Sequence, residues 1–178
     1  KALARIGGRT FLETAVQLIR DVRLKPVVIT SAERDYSFLD CKIYTDLIAD
    51  QGPLGGLYTA SRIFPDQALL VLSCDMPDVR LHHLKLLISS FKEACSITIF
   101  APNGKIEPFP GIYHASVADS ILDRILSGRR SVSDWIRQTG FTHQVPLKCQ
   151  PQNFVNVNYK EDLEQFQKYP LKMQKGRR

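Results

Sequence analysis

The residues with chemistry to offer stand where apolar runs stop. Leu69 to Cys74 is apolar or small, and the run ends on Asp75, Met76, Pro77 and Asp78. A carboxylate closing a buried strand faces a crevice with apolar walls behind it. Such a group suits Mg²⁺, which takes one or two protein carboxylates and fills its shell with water and phosphate oxygens. Asp75 fits a helix cap equally well, and Pro77 closes the strand under either reading. Two more strand ends are polar: Thr30 and Ser31 after "VVI", and Asp46 after "KIYT". In an open α/β sheet, ligands bind beyond such carboxyl ends.

Beside Asp46 lies "GPLGGL". Its Gly52, Gly55 and Gly56 let backbone approach a flat ligand, with Pro53 and Leu54 between them. No Gly-Lys-Ser/Thr follows, so this is not a Walker loop. A tight strand-to-helix turn is the competing reading. In "FVNVN", Asn156 and Asn158 share one strand face and Val155 and Val157 the other. Asn158 also fits a helix cap. Arg129 and Arg130 follow Gly128 and could grip an anion or stand in an exposed loop. His82, His83, His114 and His143 have no partners at catalytic or metal spacing and read as structural.

The elements that must position these residues alternate. Thr10 to Val22 has helical spacing, with Thr10 and Glu13 forming a capping box. "KPVVIT" is a strand, "KIYTD" a weaker one, and a helix runs from Leu54 to Ile63. "ALLVLSC" and "CSITIFA" read as strands buried on both faces. A helical period covers Arg80 to Phe91. After that "IEPFPGIYH" is irregular. Helices follow near Val117–Leu126 and Val132–Ile136, then strand-like "FTHQVPL" and "NFVNVNY" before a last helix. Alternation of this kind predicts a doubly wound α/β sheet.

The 178 residues suit one domain, spanning 1–167, followed by a basic tail, 168–178. That tail holds Lys168, Lys172, Lys175, Arg177 and Arg178 and no acid. The rest has 19 basic against 18 acidic residues, so the net charge of +6 is no argument for nucleic acid. No apolar run reaches membrane-spanning length, and no secretory signal is visible, which leads to the expectation of a cytoplasmic location. The four cysteines have no C-x-x-C or zinc spacing.

"KALARIGGRTFLE", "VVITS", "DQGPLGGL", "LLVLSCDMP" and "FVNVNYKEDLEQF" resemble, in order and spacing, the molybdenum cofactor guanylyltransferases. The resemblance covers nearly the whole chain before the tail. It implies a three-layer α/β/α sandwich with a mostly parallel, Rossmann-like nucleotidyltransferase sheet. It also implies transfer of GMP from GTP to molybdopterin with release of pyrophosphate, using Mg²⁺. Asp75 then corresponds to the metal-binding aspartate. Lys1 corresponds to the lysine closing the family's Gly-rich signature, near the nucleotide phosphates. Thr30, Asp46, Gly52, Pro53 and Leu54 correspond to GTP-binding positions, although the family more often has Asn near Thr30. Arg130, Asn156 and Asn158 correspond to the molybdopterin side. Upstream cofactor-synthesis proteins and apo-molybdoenzymes are the implied partners. The family's first strand and Gly-rich loop precede its lysine, and the sequence here starts at Lys1. A chain without that loop is expected not to turn over GTP. Two other readings stand beside this one: transfer with another base or acceptor, such as a cytidylyl or sugar-phosphate reaction, and a non-catalytic nucleotide-binding protein.

Overall fold

Thr10 starts the first helix as its sequence signature predicts. In the computed structural model, which describes residues 3–6, 8–31 and 35–147, the Thr10 hydroxyl accepts from the Glu13 amide at 3.1 Å. The Glu13 carboxylate accepts from the Thr10 amide at 2.7 Å. Helix α1 (Phe11–Asp21) follows a short hairpin of β1 (Arg5–Ile6) and β2 (Arg9–Thr10). It buries Phe11, Leu12 and Val16. Strand β3 (Val27–Thr30) then pairs in parallel with β4 (Lys42–Thr45), Thr30 opposite Thr45.

Helix α2 (Pro53–Ile63) leads to β5 (Ala68–Val71), and α3 (Leu81–Ser89) to β6 (Ile97–Phe100). Strand β7 (Glu107–His114) turns back antiparallel between β5 and β6. Helices α4 (Ala118–Leu126) and α5 (Val132–Gln138) precede β8 (Thr142–Val145), which pairs parallel to β6. The four-stranded order is β5-β7-β6-β8.

Side-chain alternation sorts the helices into two layers. Ile97, Ile99 and Tyr113 pack with Leu54 and Leu57 of α2, Ile121 and Ile125 of α4, and Trp135 and Ile136 of α5. Phe100 and Ile112 point to the opposite face, against Leu84 and Leu87 of α3, with Leu18 of α1 alongside. Successive strand residues face opposite sides, so the sheet is sandwiched between helices on both faces. This is the expected α/β/α sandwich.

Three local expectations change. β3 and β5 belong to separate ladders rather than one continuous hydrogen-bonded sheet. The ladder of β5 ends at Val71, and its residues are exposed or half-buried. Leu72 to Asp75 therefore leave the strand before the carboxylate is reached. "IEPFPGIYH" contains a central antiparallel strand. Two prolines hid it, since each lacks a ladder donor. The register shift that accommodates them sets Phe100 opposite Glu107 but Ile99 opposite Gly111. Gly111 is required there: a Cβ would meet the Pro108 carbonyl oxygen at 2.6 Å and the Tyr113 ring at 2.7 Å.

Candidate nucleotide site

The amide of Asp46 donates to the Thr30 carbonyl at 3.0 Å, carrying the β3–β4 register one step past the ladder. From there the Asp46 side chain turns toward the first turn of α2. Its Oδ1 lies 3.9 Å from where a Cβ on Gly56 would stand. At Gly55 a Cβ would meet the Gln51 Cβ at 3.1 Å and the Ile48 carbonyl oxygen at 3.2 Å, so the loop closes on the helix only if that position is bare. Gly52 caps the helix with φ +58, in the left-handed region glycine favours, and Pro53 takes the first helical position. The first turn carries no acid and no side-chain cap. Thr30, Asp46, Gly52 and Pro53 thus come together at one end of the sheet. Leu54 belongs to this loop by backbone only, because its side chain is wholly buried in the core.

Asp46 is under electrostatic tension. Its Oδ1 is buried and has no hydrogen-bond partner among the described residues. Burial raises its carboxyl above the ordinary aspartate range, and a hydrogen bond with Thr59 pulls the other way. The Thr59 hydroxyl also accepts from the Leu47 amide at 2.9 Å, so this residue of α2 fixes the chain on the far side of the carboxylate. Sequence reasoning misses Thr59. The signal it leaves there is a hydroxyl at an apolar position of a helix.

Asp75 lies in the turn between β5 and α3. The Ser73 hydroxyl donates to Asp75 Oδ1. Cys74 packs against the cluster holding Val28 of β3 and Leu12 and Val16 of α1, so the Asp75 segment runs alongside β3. The helix-cap reading of Asp75 fails. Helix α3 begins at Leu81, well past Asp75, and its capping contacts come from Arg80, whose amide donates to His83 Nδ1 at 3.1 Å. Asp78 contributes a second carboxylate to this turn. Its side chain is 16% exposed, with the Arg80 guanidinium 3.9 Å away. Burial raises the Asp78 carboxyl and Arg80 opposes that rise. Arg80 Nη1 also donates to the Pro77 carbonyl at 3.0 Å, clamping the turn.

Arg130 stands apart from the β3–β4 end, in an arginine-lined concavity beyond the end of α4. His83 is structural, as expected, but fully buried rather than at the surface or partly buried. His114 caps a short turn, its Nδ1 accepting from the Ser116 amide at 3.3 Å. Lys1, Asn156 and Asn158 lie outside the described residues, as do the last helix and the basic tail.

A glycine-started helix beside the Asp46 carboxylate at a strand's carboxyl end, in a three-layer α/β/α frame, is the position where open α/β folds bind their ligands. A family model described as the MobA-like NTP transferase domain matches residues 1–145, and the chain belongs to that family. It is 32% identical over 165 residues to a probable molybdenum cofactor guanylyltransferase of Flavobacterium johnsoniae, covering 92% of this chain and 85% of that one. A protein of the same description from Carboxydothermus hydrogenoformans is 28% identical over 173 residues, covering 94% and 87%. Among solved structures, the molybdopterin-guanine dinucleotide biosynthesis protein A of Archaeoglobus fulgidus superposes with a TM-score of 0.72. It is 22% identical and covers 93% of this chain and 87% of its own. The 2-C-methyl-D-erythritol 4-phosphate cytidylyltransferase of Thermus thermophilus shares the fold at a TM-score of 0.63 and 16% identity, covering 93% of this chain and 91% of its own.

Proposed function

We propose that this protein transfers GMP from GTP to the terminal phosphate of molybdopterin and releases pyrophosphate. The observation that carries the reading is the buried, unpartnered Oδ1 of Asp46 beside the glycine-capped start of α2. A buried acceptor without a donor costs about 1–3 kcal/mol unless a ligand supplies one. Guanine offers two adjacent donors, N1–H and the 2-amino group, on one edge; the ribose hydroxyls are the other donors within GTP. The descriptions of the relatives favour guanine and molybdopterin over the cytidylyl alternative.

An oxygen of the acceptor phosphate attacks the α-phosphorus of GTP. The new P–O bond forms as the α-phosphorus–bridging oxygen bond breaks, and pyrophosphate leaves with that electron pair. The acceptor is already ionised, so the protein's work is placement and charge neutralisation. Backbone amides at the start of α2 would face the nucleotide, and the open space beside Gly52 would let it approach. Thr30 supports the same end through its carbonyl bond to Asp46. Lys1, Asn156 and Asn158 are assigned to the phosphates and the acceptor on the resemblance alone.

Mg²⁺ fits Asp75 by the chemistry of the donor set. The carboxylate is half-buried, is oriented by the Ser73 hydroxyl, and forms no ion pair among the described residues. No group of three metal-ligating side chains converges among the described residues. A single carboxylate matches the usual Mg²⁺ habit of taking most of its shell from water and substrate phosphates. Bound there, Mg²⁺ would supply charge neutralisation at the α-phosphate. Asp78 would stay outside the shell, held by Arg80.

The test is incubation of the full-length protein with each labelled NTP, Mg²⁺ and molybdopterin. Label appearing in a dinucleotide from GTP alone, with stoichiometric pyrophosphate, is the expected result. Equal use of CTP would move the protein to the cytidylyl branch. Nucleotide binding without transfer would leave a non-catalytic binding protein.

A further inference from the structure

Thr59 is wholly buried in the middle of α2, and its hydroxyl turns away from its own helix. Thr14 of α1 shows the usual local alternative: its hydroxyl donates to the carbonyl of Thr10, four residues back, at 3.0 Å. The Thr59 hydroxyl instead accepts from the Leu47 amide at 2.9 Å and forms a hydrogen bond with the Asp46 carboxylate. A hydroxyl has one proton to give. Since the amide donates to its oxygen and the carboxylate accepts, that proton is directed at Asp46. The bond opposes burial, which raises the Asp46 carboxyl above its ordinary range. Gly55 and Gly56 lie four and three residues before Thr59, on the same helix face. A Cβ at Gly55 would stand 4.0 Å from the Asp46 Cγ, and one at Gly56 would stand 3.9 Å from Oδ1. Helix α2 therefore presents a bare patch and one hydroxyl to the Asp46 side chain. The backbone is tied on both sides of that side chain, the Asp46 amide to the Thr30 carbonyl at 3.0 Å and the Leu47 amide to Thr59. Oδ1 is the group left over, buried and without a partner among the described residues.

We propose that Thr59 is a positioning residue for nucleotide binding: by tying the Leu47 amide and the Asp46 carboxylate to α2, it holds Asp46 in one orientation with Oδ1 left for a donor group of the nucleotide. This rests on the reading of Asp46 as a nucleotide-binding residue. Thr59 acts through Asp46 and not on the ligand. Without its hydroxyl, the Asp46 side chain would lose the contact that selects its rotamer, and the Leu47 amide would lose its acceptor. Binding would then have to supply the ordering that the free protein already carries. The effect therefore falls on nucleotide affinity more than on the transfer step, and it disappears when the Asp46 carboxylate is absent.

The experiment is a double-mutant cycle in the full-length protein. GTP affinity is read by calorimetry without acceptor, and the GTP KM and kcat are read in the transfer assay. Thr59→Val keeps the shape of the side chain and removes the hydroxyl. It should weaken GTP binding about tenfold and raise the GTP KM by a like factor, with kcat changed by less than about twofold. Thr59→Ser keeps the hydroxyl and should return the affinity to within about threefold of wild type. In an Asp46→Ala background, Thr59→Val should cost no further affinity, because its target is gone. A merely structural role for Thr59 gives the same loss in both backgrounds. That result, or wild-type GTP affinity in Thr59→Val, overturns the proposal while leaving Asp46 in the site. Unchanged GTP affinity in Asp46→Ala would instead remove Asp46 from the nucleotide site, and the role of Thr59 with it. If Thr59→Val fails to fold, Thr59→Ala, which adds no bulk, carries the same cycle.

Discussion

The Ser73 hydroxyl donates to the Oδ1 of Asp75, two residues along the turn that leaves β5. The bond holds one carboxylate oxygen in place and leaves the other for a ligand. Asp75→Asn keeps the shape of the side chain and loses its charge. We expect turnover to fall about a hundredfold or more with the melting temperature nearly unchanged. Near-normal turnover at limiting Mg²⁺ would remove Asp75 from the metal site.

Ser73 acts through Asp75, so its loss should be milder and of a different kind. Ser73→Ala should raise the Mg²⁺ concentration needed for half-maximal rate by about tenfold, with the rate recovered at high Mg²⁺. Ser73→Thr keeps the hydroxyl and should restore most of the affinity. Mn²⁺ binding in the presence of GTP, followed by electron paramagnetic resonance, reads the same shift without turnover. A Ser73→Ala protein with wild-type Mn²⁺ affinity would make the hydrogen bond incidental.

Asp46 decides between base and sugar recognition. If its carboxylate meets the guanine edge, Asp46→Ala should cut the preference for GTP over CTP and ATP by about tenfold to a hundredfold. A uniform loss for all three nucleotides would place Asp46 on the ribose. Competition among the three NTPs in wild type and variant separates the outcomes.

Gly55→Ala probes the closure of the loop on α2. The added methyl would lie 3.1 Å from the Gln51 Cβ and 3.2 Å from the Ile48 carbonyl oxygen. We expect about 1–3 kcal/mol of destabilisation from overpacking. Nucleotide affinity should fall as the Asp46–Gln51 loop moves. Urea unfolding and GTP titration check the two effects.

His83 should make the protein acid-sensitive. It is buried, and burial, His82 and Arg80 push its pKa down from 6.5 to about 4. Arg80 donates its amide to His83 Nδ1, which favours the neutral ring. As pH falls, the unfolded chain takes up the proton near 6.5 while the folded one resists it until about 4. The contribution to stability is therefore complete above that upper value and declines through the window, by roughly 1–3 kcal/mol. Urea melts from neutral pH down to the lower end of the window should show the slope. His83→Asn, which can still accept from Arg80, should flatten it.

Local rules make much of this chain legible from its sequence. The Thr10–Glu13 capping box, the periods of α1 and α2, the apolar run of β6 and the polar strand ends at Thr30 and Asp46 all depend on residues a few positions apart. Short-range patterns of this kind survive in a linear reading. The β7 strand does not, because its prolines deny it a local strand signature, and it is held by pairing on both edges with β5 and β6. The burial that orphans Asp46 Oδ1 also escapes a linear reading. It arises from α2 and Thr59, which lie beyond the residue's own neighbourhood in sequence. Arg124 shows the difference most plainly. In sequence it is one more basic residue on an amphipathic helix, of a type usually solvated. Only the packing of α5 against α4, with Gln138 as a neutral partner, turns it into a buried charge.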